Sequence, residues 1–311
     1  MKPLRIGTRG SKLALWQAEH VGAKLQQMAG VESELVVIKT AGDHFASSGI
    51  SEIGGKGIFI KEIEDALLRG QIDIAVHSMK DVPTDFCDAC RISVVLVRED
   101  PRDCLISRDG QTLAKLQPRA RIGTSSVRRA SQLRSFRPDL EIVPLRGNVD
   151  TRLRKLDAGE YDAVVVAKAG VERLGLSPRI TEILAHEIML PAPGQGALGI
   201  EYRATTETLY LPFLRKLEDW PTVRSISCER ALQHELQGGC TIPLGAWARI
   251  ENGEMKLDAR VLDSDGTESV HRQAAGSPKD AEEIGRRLAR ELLDAGADRL
   301  LRLAGRSVGG G

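Results

Sequence analysis

A carboxylate and a cation lie together at the end of one short apolar strand. The segment IDIAVHSMKDVPT begins at Ile72, and its apolar residues predict a strand over 72–76 that cannot continue past Pro83. Polar side chains at the end of a buried strand lie where open α/β sheets bind ligands. The segment leaves one carboxylate, Asp81, beside a cation, Lys80, at this candidate ligand site. A solvated ion pair between these two residues is the alternative for this segment taken alone.

Arginines recur where predicted strands give way to helices. Between Asp100 and Glu160, Arg and Lys exceed Asp and Glu by five residues, although the whole chain has a net charge of +1. Helix N-termini favour anions and a guanidinium can hold a carboxylate through two hydrogen bonds, so the pattern favours a ligand with several carboxylates. Each arginine alone could instead be a solvated surface charge. If Arg128 holds a carboxylate of the ligand and does not support the fold, an Arg128→Leu variant should lose ligand binding while its thermal unfolding stays nearly unchanged, within ~0.5 kcal/mol. The six candidates are Arg9, Arg128, Arg129, Arg146, Arg152 and Arg173.

The elements that must position these residues alternate between strand and helix. From Leu4 to Val76 the hydrophobic pattern predicts strand, helix, strand, helix and strand, with Ser11 as the cap of the first helix and the second helix over 58–68. A second unit of this βαβ kind begins at Ile122, and such units form parallel sheets. Near the C-terminus, short strands separated by Asn-Gly and Asp-Gly turns precede a helix that begins at Ser277. The predicted fold is therefore α/β, with two βαβ lobes and a small C-terminal α+β domain that contains an antiparallel sheet.

Composition argues against several classes of protein. A length of 311 residues suits roughly two or three domains, and 41% hydrophobic with 28% charged residues is typical of a globular protein. The net charge of +1 argues against nucleic acid or a membrane surface as a partner, and no apolar run reaches the length of a membrane span. Five cysteines are few and odd in number, which favours a reduced protein of the cytoplasm.

Three further motifs are weak or open to two interpretations. GISEIGGKGIF resembles a phosphate-binding loop, but Gly55 occupies the lysine position, so a glycine-rich lid that carries Lys56 is favoured over a nucleotide site. Cys87 and Cys90 form a single CxxC in a predicted loop, and we predict no metal site. Cys240 lies in LQGGCTIPLG, where a tight turn could expose a thiol that carries a group covalently; a half-buried small hydrophobic residue is the alternative.

Eight ordered segments together resemble the porphobilinogen deaminase family, whose members are also called hydroxymethylbilane synthases. The resemblance runs from about Ile6 to Ala246, and beyond Ala246 only the length and the pattern match. The stretch Phe86–Cys90 and Pro193 depart from the family pattern without touching the predicted site. The segments are GTRGSKLALWQA, GGKGIFIKEIEDALLRGQIDIAVHSMKDVPT, REDPRD, IGTSSVRR, LRGNVDTRLRKL, AGVERLG, GQGALGIE and LQGGCTIPLGA.

The resemblance implies a transferase of tetrapyrrole (haem-type) biosynthesis. Family members join four porphobilinogen molecules head to tail, releasing ammonia each time, and hydrolyse the product to linear hydroxymethylbilane. The growing chain is attached to a dipyrromethane cofactor, which a thioether links to the cysteine matching Cys240. Asp81 matches the catalytic aspartate, and Lys56 and Phe59 belong to the lid loop. The residues expected to bind carboxylates of substrate and cofactor are Arg9, Ser11, Lys80, Thr124, Ser126, Arg128, Arg129, Arg146, Asn148, Arg152 and Arg173.

The resemblance also implies three domains, two of them similar to the lobes of periplasmic binding proteins. Residues 1–98 with 195–217 form the first lobe, residues 99–194 the second, and residues 218–311 a domain that carries the cofactor cysteine. Porphobilinogen is the expected partner, without nucleic acid or membrane, and we expect a cytoplasmic monomer. The alternative is a non-catalytic two-lobed binding protein for a polycarboxylate. That alternative accounts for the arginines, but not for an aspartate inside an anion site or for an exposed cysteine.

Overall fold

The computed structural model describes residues 2–38, 58–84, 87–236 and 242–308, and the elements are numbered along these residues. The chain divides into two compact units. The first unit consists of Met1–Glu99 and Ala197–Val223, and the second of Asp100–Gly196 and Arg224–Gly311. The division into three domains stays a prediction.

A five-stranded mixed sheet forms the centre of the first unit. Its strands are β1 (Leu4–Thr8), β2 (Ser33–Val37), β3 (Ile74–Ser78), β4 (Cys90–Val95) and β10 (Leu198–Arg203). Its helices are α1 (Lys12–Ala29), α2 (Ile58–Leu68) and α6 (Glu207–Leu214), and α7 (Trp220–Glu235) begins in it. The strand order is β2-β1-β3-β10-β4, where β1 is parallel to β2 and β3, and β10 is antiparallel to β3 and β4.

Short-range signals and one buried pair set the limits of these elements. Ser11 caps α1 by accepting a hydrogen bond at 3.3 Å from the backbone N–H of Ala14, as predicted, and Gly30 ends the helix at a φ of 67°. The strand predicted over 72–76 lies two residues further along, at β3. His77 extends it because Nε2 of His77 lies 2.8 Å from Oε2 of the buried Glu201 on β10, so this interior position does not require an apolar residue.

The second unit contains another five-stranded mixed sheet. Its strands are β5 (Asp103–Ser107), β6 (Arg121–Gly123), β7 (Glu141–Val143), β8 (Ala163–Ala167) and β9 (Glu182–Ile183). Its helices are α3 (Val127–Phe136), α4 (Val149–Asp157) and α5 (Lys168–Arg173). The order is β7-β6-β8-β5-β9, where β6 is parallel to both neighbours and β5 is antiparallel to β8 and β9. Both sheets thus place three parallel strands beside an antiparallel fourth.

An antiparallel sheet with helices forms the C-terminal part of the second unit. Its elements are β11 (Leu244–Glu251), β12 (Glu254–Leu262), β13 (Ser269–Gly276), α8 (Ala281–Asp294) and α9 (Ala297–Val308). The strands follow one another in space, and Asn252 and Gly253 make the predicted turn with φ of 52° and 79°. The sheet packs on α7, α8 and α9 around a core that includes Leu232, Leu257 and Leu288.

The predicted fold class is confirmed: two βαβ lobes and a small C-terminal domain with an antiparallel sheet. The GQGALGIE segment supplies β10, which belongs to the first unit. The prediction that the CxxC lies wholly in a loop is wrong, because Cys90 begins β4 and is fully buried in the sheet. Within the described ranges, no helix is both long enough and apolar enough to cross a membrane.

Candidate active site

Four predicted site residues follow two neighbouring strands of the first unit. β1 and β3 are parallel partners, with Ile6 opposite Ile74 in the register. The carboxyl ends of parallel strands lie at the same edge of a sheet, which is where open α/β sheets bind ligands. The residues at this edge are Arg9 and Ser11 after β1, and Lys80 and Asp81 after β3.

A single 3₁₀ turn, Met79–Asp81, carries the predicted catalytic carboxylate, and Asp81 is exposed. Met79 is buried beneath the turn, and its backbone N–H donates to the carbonyl of Ala197 at 3.0 Å. A Cβ added at Gly199 of β10 would collide with Sδ of Met79. The turn therefore packs closely against β10 at Gly199, where a larger residue would force the side chain of Met79 to move. Gly199 was not among the residues predicted to shape the site, although a glycine inside a buried strand is a signal of close approach.

A second group of predicted site residues follows three strands of the second unit. β6 lies between β7 and β8 and is parallel to both, so the residues that follow these strands share one edge of the sheet. After β6 come Thr124, Ser126, Arg128 and Arg129; after β7 come Arg146, Asn148 and Arg152; and Arg173 lies in α5, after β8.

Three of the predicted hydrogen-bonding residues are helix N-caps. Each accepts a hydrogen bond from the backbone N–H three residues further along the chain. The caps are Ser11 for α1 (3.3 Å), Ser126 for α3 (3.5 Å) and Asn148 for α4 (3.0 Å). Oγ1 of Thr124 in turn accepts from the N–H of Ser126 at 3.2 Å. Part of the hydrogen-bonding capacity of these residues therefore serves the helix starts.

Arg128 and Arg129 are not surface charges. Each is 5% exposed, and both pair with Asp103, which is fully buried. Nη1 of Arg128 donates to Oδ2 of Asp103 at 2.7 Å, and Nη2 of Arg129 donates to Oδ1 at 2.7 Å. The expectation of a near-neutral Arg128→Leu variant is therefore wrong, because the substitution removes a partner from a buried carboxylate. Asp103 was not among the predicted site residues, because it precedes its partners by 25 and 26 positions and shows no helical spacing with them.

Asp103 remains ionised although it is buried. Burial raises the pKa of a carboxyl, but the charges of Arg128 and Arg129 outweigh this effect and hold the pKa of Asp103 well below its usual range. Burial lowers the pKa of Arg128, and Asp103 opposes that change. Because guanidinium groups stay protonated in proteins, this buried trio carries a net charge of +1 at neutral pH.

The remaining donors distinguish the two arginines. Arg128 uses Nη1 alone, for Asp103 and for the carbonyl of Leu190 at 2.7 Å. Nε and Nη2 of Arg128, the edge that binds a carboxylate side-on, make no hydrogen bond to any residue that the structure describes. All three nitrogens of Arg129 donate to protein acceptors, Nε and Nη2 to Asp103 and Nη1 to the carbonyl of Val165.

The other arginines of this group differ in exposure. Arg146 is exposed, whereas Arg152 is half-buried and donates through Nε to the carbonyl of Gly147 at 2.8 Å. Arg173 is 7% exposed and donates through Nη2 to the carbonyl of Gly196 at 2.9 Å. A set of guanidinium groups beside polar helix caps fits a ligand with several carboxylates, such as the dipyrromethane that the resemblance implies.

Some predicted residues lie outside the described part of the chain. Lys56 and Cys240 do so, and Phe59 belongs to α2. Burial raises the pKa of the thiols of Cys104 and Cys228 to about 12, which makes both poor nucleophiles.

Comparison with known proteins gives matches along nearly the whole chain. The family model "Porphobilinogen deaminase, dipyromethane cofactor binding domain" matches residues 4–210, and the model of the C-terminal domain of the same family matches residues 223–294. The porphobilinogen deaminase of Chlorobium limicola is 50% identical over 305 residues, which cover 96% of this chain and 97% of the relative. That of Syntrophobacter fumaroxidans is 46% identical over 299 residues, 96% of each chain.

Among solved structures, the similarity is lower. The periplasmic aliphatic sulphonate binding protein SsuA from Escherichia coli aligns with 76% of this chain and 71% of its own, at 13% identity and a TM-score of 0.40. A similarity at this level carries no argument about function.

Proposed function

The chain belongs to the porphobilinogen deaminase family, and we propose that it joins four porphobilinogen molecules head to tail, releases ammonia at each step, and hydrolyses the product to linear hydroxymethylbilane. The observation that carries this function is the match to both family models, together with identity of 46% to 50% over nearly the full length of enzymes of that name. The protein is accordingly a transferase of tetrapyrrole biosynthesis that works with a dipyrromethane cofactor.

Asp81 is the catalytic residue in this proposal. Loss of the amino group from porphobilinogen leaves positive charge on the pyrrole nitrogen, and a carboxylate beside it stabilises charge that develops towards the transition state. The same carboxylate can hold and return a proton at that nitrogen. The exposure of Asp81 at the end of its 3₁₀ turn makes the carboxylate accessible to a ligand, which supports this role.

The dipyrromethane, attached to Cys240, supplies the pyrrole carbon to which substrate is joined. Each porphobilinogen carries an acetate and a propionate, so every added unit increases the negative charge that the protein must hold. Arg128, with one guanidinium edge unused within the described residues, and the exposed Arg146 are the clearest candidates for that task. Arg9, Lys80, Arg129, Arg152 and Arg173 add positive charge, and Ser11, Thr124, Ser126 and Asn148 add hydrogen-bonding groups at the same edges.

A second candidate function is ligand binding without catalysis. A two-lobed polycarboxylate-binding protein would use the same arginines. Asp81 would lower the affinity of such a protein for a polycarboxylate, since a carboxylate among cations repels an anionic ligand. The position of Asp81 at the same edge as Arg9 and Lys80 therefore favours the enzyme.

The working environment belongs to the same proposal. A net charge of +1 supports a small-molecule partner rather than nucleic acid or a membrane surface. The cysteines that the structure describes are free thiols, which supports the reducing cytoplasm. We also propose that the protein acts as a monomer and that Lys56, in a glycine-rich segment, adds a positive charge for the ligand.

A stoichiometric assay tests the function. The purified protein is incubated with porphobilinogen, and ammonia and hydroxymethylbilane are measured in the same sample. We expect four ammonia molecules for each hydroxymethylbilane. Binding of porphobilinogen without its consumption would favour the non-catalytic alternative.

A further inference from the structure

We infer that Asp103 is a positioning residue, which holds one end of the Arg128 guanidinium so that its opposite edge can receive a ligand carboxylate. Asp103 is the last residue of REDPRD and the first residue of β5. The inference rests on the proposed function, because it presumes that Arg128 binds carboxylates of the substrate or cofactor.

Two acceptors fix one nitrogen of Arg128. Nη1 donates to Oδ2 of Asp103 and to the carbonyl of Leu190, each at 2.7 Å. The side-chain amide of Gln132 fixes the backbone of Leu190. Its Nε2 donates to the Leu190 carbonyl at 3.1 Å, and its Oε1 accepts from the Leu190 N–H at 2.9 Å. A planar guanidinium anchored at one nitrogen by two acceptors has little freedom to rotate, so the direction of its Nε–Nη2 edge is set.

The other oxygen of Asp103 is held just as firmly. Oδ1 accepts from Arg129 through Nη2 at 2.7 Å and Nε at 3.1 Å, and from Nε2 of Gln195 at 3.0 Å. Gln195 also donates to the carbonyl of Pro101 at 2.6 Å. The carboxylate is therefore fixed on both sides, and it can serve as a rigid support for Arg128.

Asp103 also offsets the charge repulsion between Arg128 and Arg129. Two adjacent guanidinium groups that are each 5% exposed repel one another, and one fully buried carboxylate between them offsets that repulsion. The trio retains one positive charge for the ligand. An asparagine in place of Asp103 offers one acceptor oxygen and turns N–H donors towards one of the arginines, so it can support only one of them.

The test compares Asp103→Asn with Asp139→Asn. Asp139 is the matched control because it pairs with Arg137 at 2.7 Å in the same unit but is exposed. Three quantities are measured for each variant: the thermal midpoint of unfolding, the fraction of purified protein that carries the dipyrromethane by intact mass, and KM and kcat for porphobilinogen of the loaded fraction well below the midpoint.

We expect the thermal midpoint of Asp103→Asn to fall, the loaded fraction to fall about tenfold, and KM to rise about tenfold with a smaller change in kcat. Asp139→Asn should resemble the wild type in all three. A folded Asp103→Asn protein with loading and KM within twofold of the wild type would overturn the inference and leave Asp103 as a support of the fold alone.

Arg128→Lys provides the second test, which is the deciding one where Asp103→Asn yields no folded protein. The ammonium of Lys keeps an ion pair with Asp103 but has no second edge. We expect a folded variant with impaired loading and raised KM; unchanged loading and KM would overturn the inference. A wild-type protein that neither consumes porphobilinogen nor carries an adduct would instead refute the proposed function, which keeps the two failures distinct.

Discussion

Asp81 is an exposed carboxylate at a sheet edge that it shares with Arg9 and Lys80. An anion site gains nothing in affinity from such a residue, so the proposed role of Asp81 is to present its charge to a cationic transition state. The same argument predicts which property of Asp81 matters, namely its charge rather than its shape.

An Asp81→Asn variant should turn over porphobilinogen about a hundredfold more slowly or worse, because one preorganised charge is lost. Anion binding should be retained or strengthened, and an Asp81→Glu variant should be milder. Asp88→Asn, another exposed acid of the first unit, serves as the control. The rate of product formation is the measurement, and activity of Asp81→Asn within twofold of the wild type would remove Asp81 from the catalytic role.

Arg128 and Arg146 should separate stability from binding. Arg128→Leu removes one partner of a fully buried carboxylate and should lower the free energy of unfolding by about 2 kcal/mol or more, less than the ~3–5 kcal/mol of a fully broken pair because Arg129 remains. Arg146→Leu, at an exposed position, should stay within ~0.5 kcal/mol of the wild type. Chemical denaturation measures both, and equal effects would contradict the burial argument.

At this scale the sequence singles out candidate residues but does not show their surroundings. Arg128 was recognised from its place at a helix start, whereas its burial depends on Asp103, on a different strand. Residue spacing reports neighbours within one element. It carries no information about a partner that only the folded sheet brings close.

At the scale of elements, Ser11, Ser126 and Asn148 also stabilise the helices that they begin. Each caps a helix, so loss of ligand binding in a variant could reflect loss of the cap instead. Either of two neighbouring serines, Ser125 or Ser126, could cap α3 by residue type and position in the sequence. The structure assigns it to Ser126, while Ser125 accepts a hydrogen bond from the N–H of Leu145 at 3.0 Å.

Two substitutions at Asn148 separate the cap from the ligand contact. Asn148→Ala should lower the free energy of unfolding by about 1 kcal/mol, because the cap of α4 is lost. Asn148→Asp keeps a capping oxygen and suits the helix dipole, so its stability should be at least that of the wild type, yet it adds a negative charge that should raise KM for porphobilinogen. Denaturation and steady-state kinetics measure the two effects. An unchanged KM for Asn148→Asp would reduce Asn148 to a cap.

The pattern of apolar residues predicted α2 at its observed limits and predicted β3 two residues too early. An amphipathic helix packs one face, so its periodicity is visible in the chain. The limits of β3 are harder to predict because His77 is a buried polar residue that pairs with the buried Glu201. Such a pair interrupts the apolar pattern from which a buried strand is predicted.

For the molecule as a whole, ionised acids couple stability to pH. Burial raises the pKa of Asp100, but hydrogen bonds from Arg102 and the charge of Lys168 outweigh it and lower the pKa to about 2. The pKa of Asp103 is likewise held below its usual range. A carboxyl whose pKa is depressed in the folded state stabilises the protein above its unfolded pKa of about 4, and this stabilisation is lost as the pH falls.

The free energy of unfolding should therefore fall as the pH is lowered from about 4 to about 2. Asp100→Asn should be less stable than the wild type near neutral pH, and the difference should shrink towards pH 2, because protonation has removed most of the advantage of the wild type. Urea denaturation at several pH values measures this. A difference that stays constant over this range would contradict the assignment.

The fold class at this scale followed from the alternation of strand and helix, and the structure confirms it. The pattern did not include α7 or α9, which supply part of the C-terminal core. The apolar residues of α7 form no marked stripe along the helix, so its pattern does not stand out in the sequence.

The intact mass of the purified protein tests the central claim most directly. Wild-type protein should exceed its sequence mass by two linked pyrrole units, and Cys240→Ser should lose this excess together with activity. Cys87→Ser, at a half-buried thiol of the first unit, should keep both the excess and the activity. A fully active wild-type protein at its unmodified sequence mass would contradict the account.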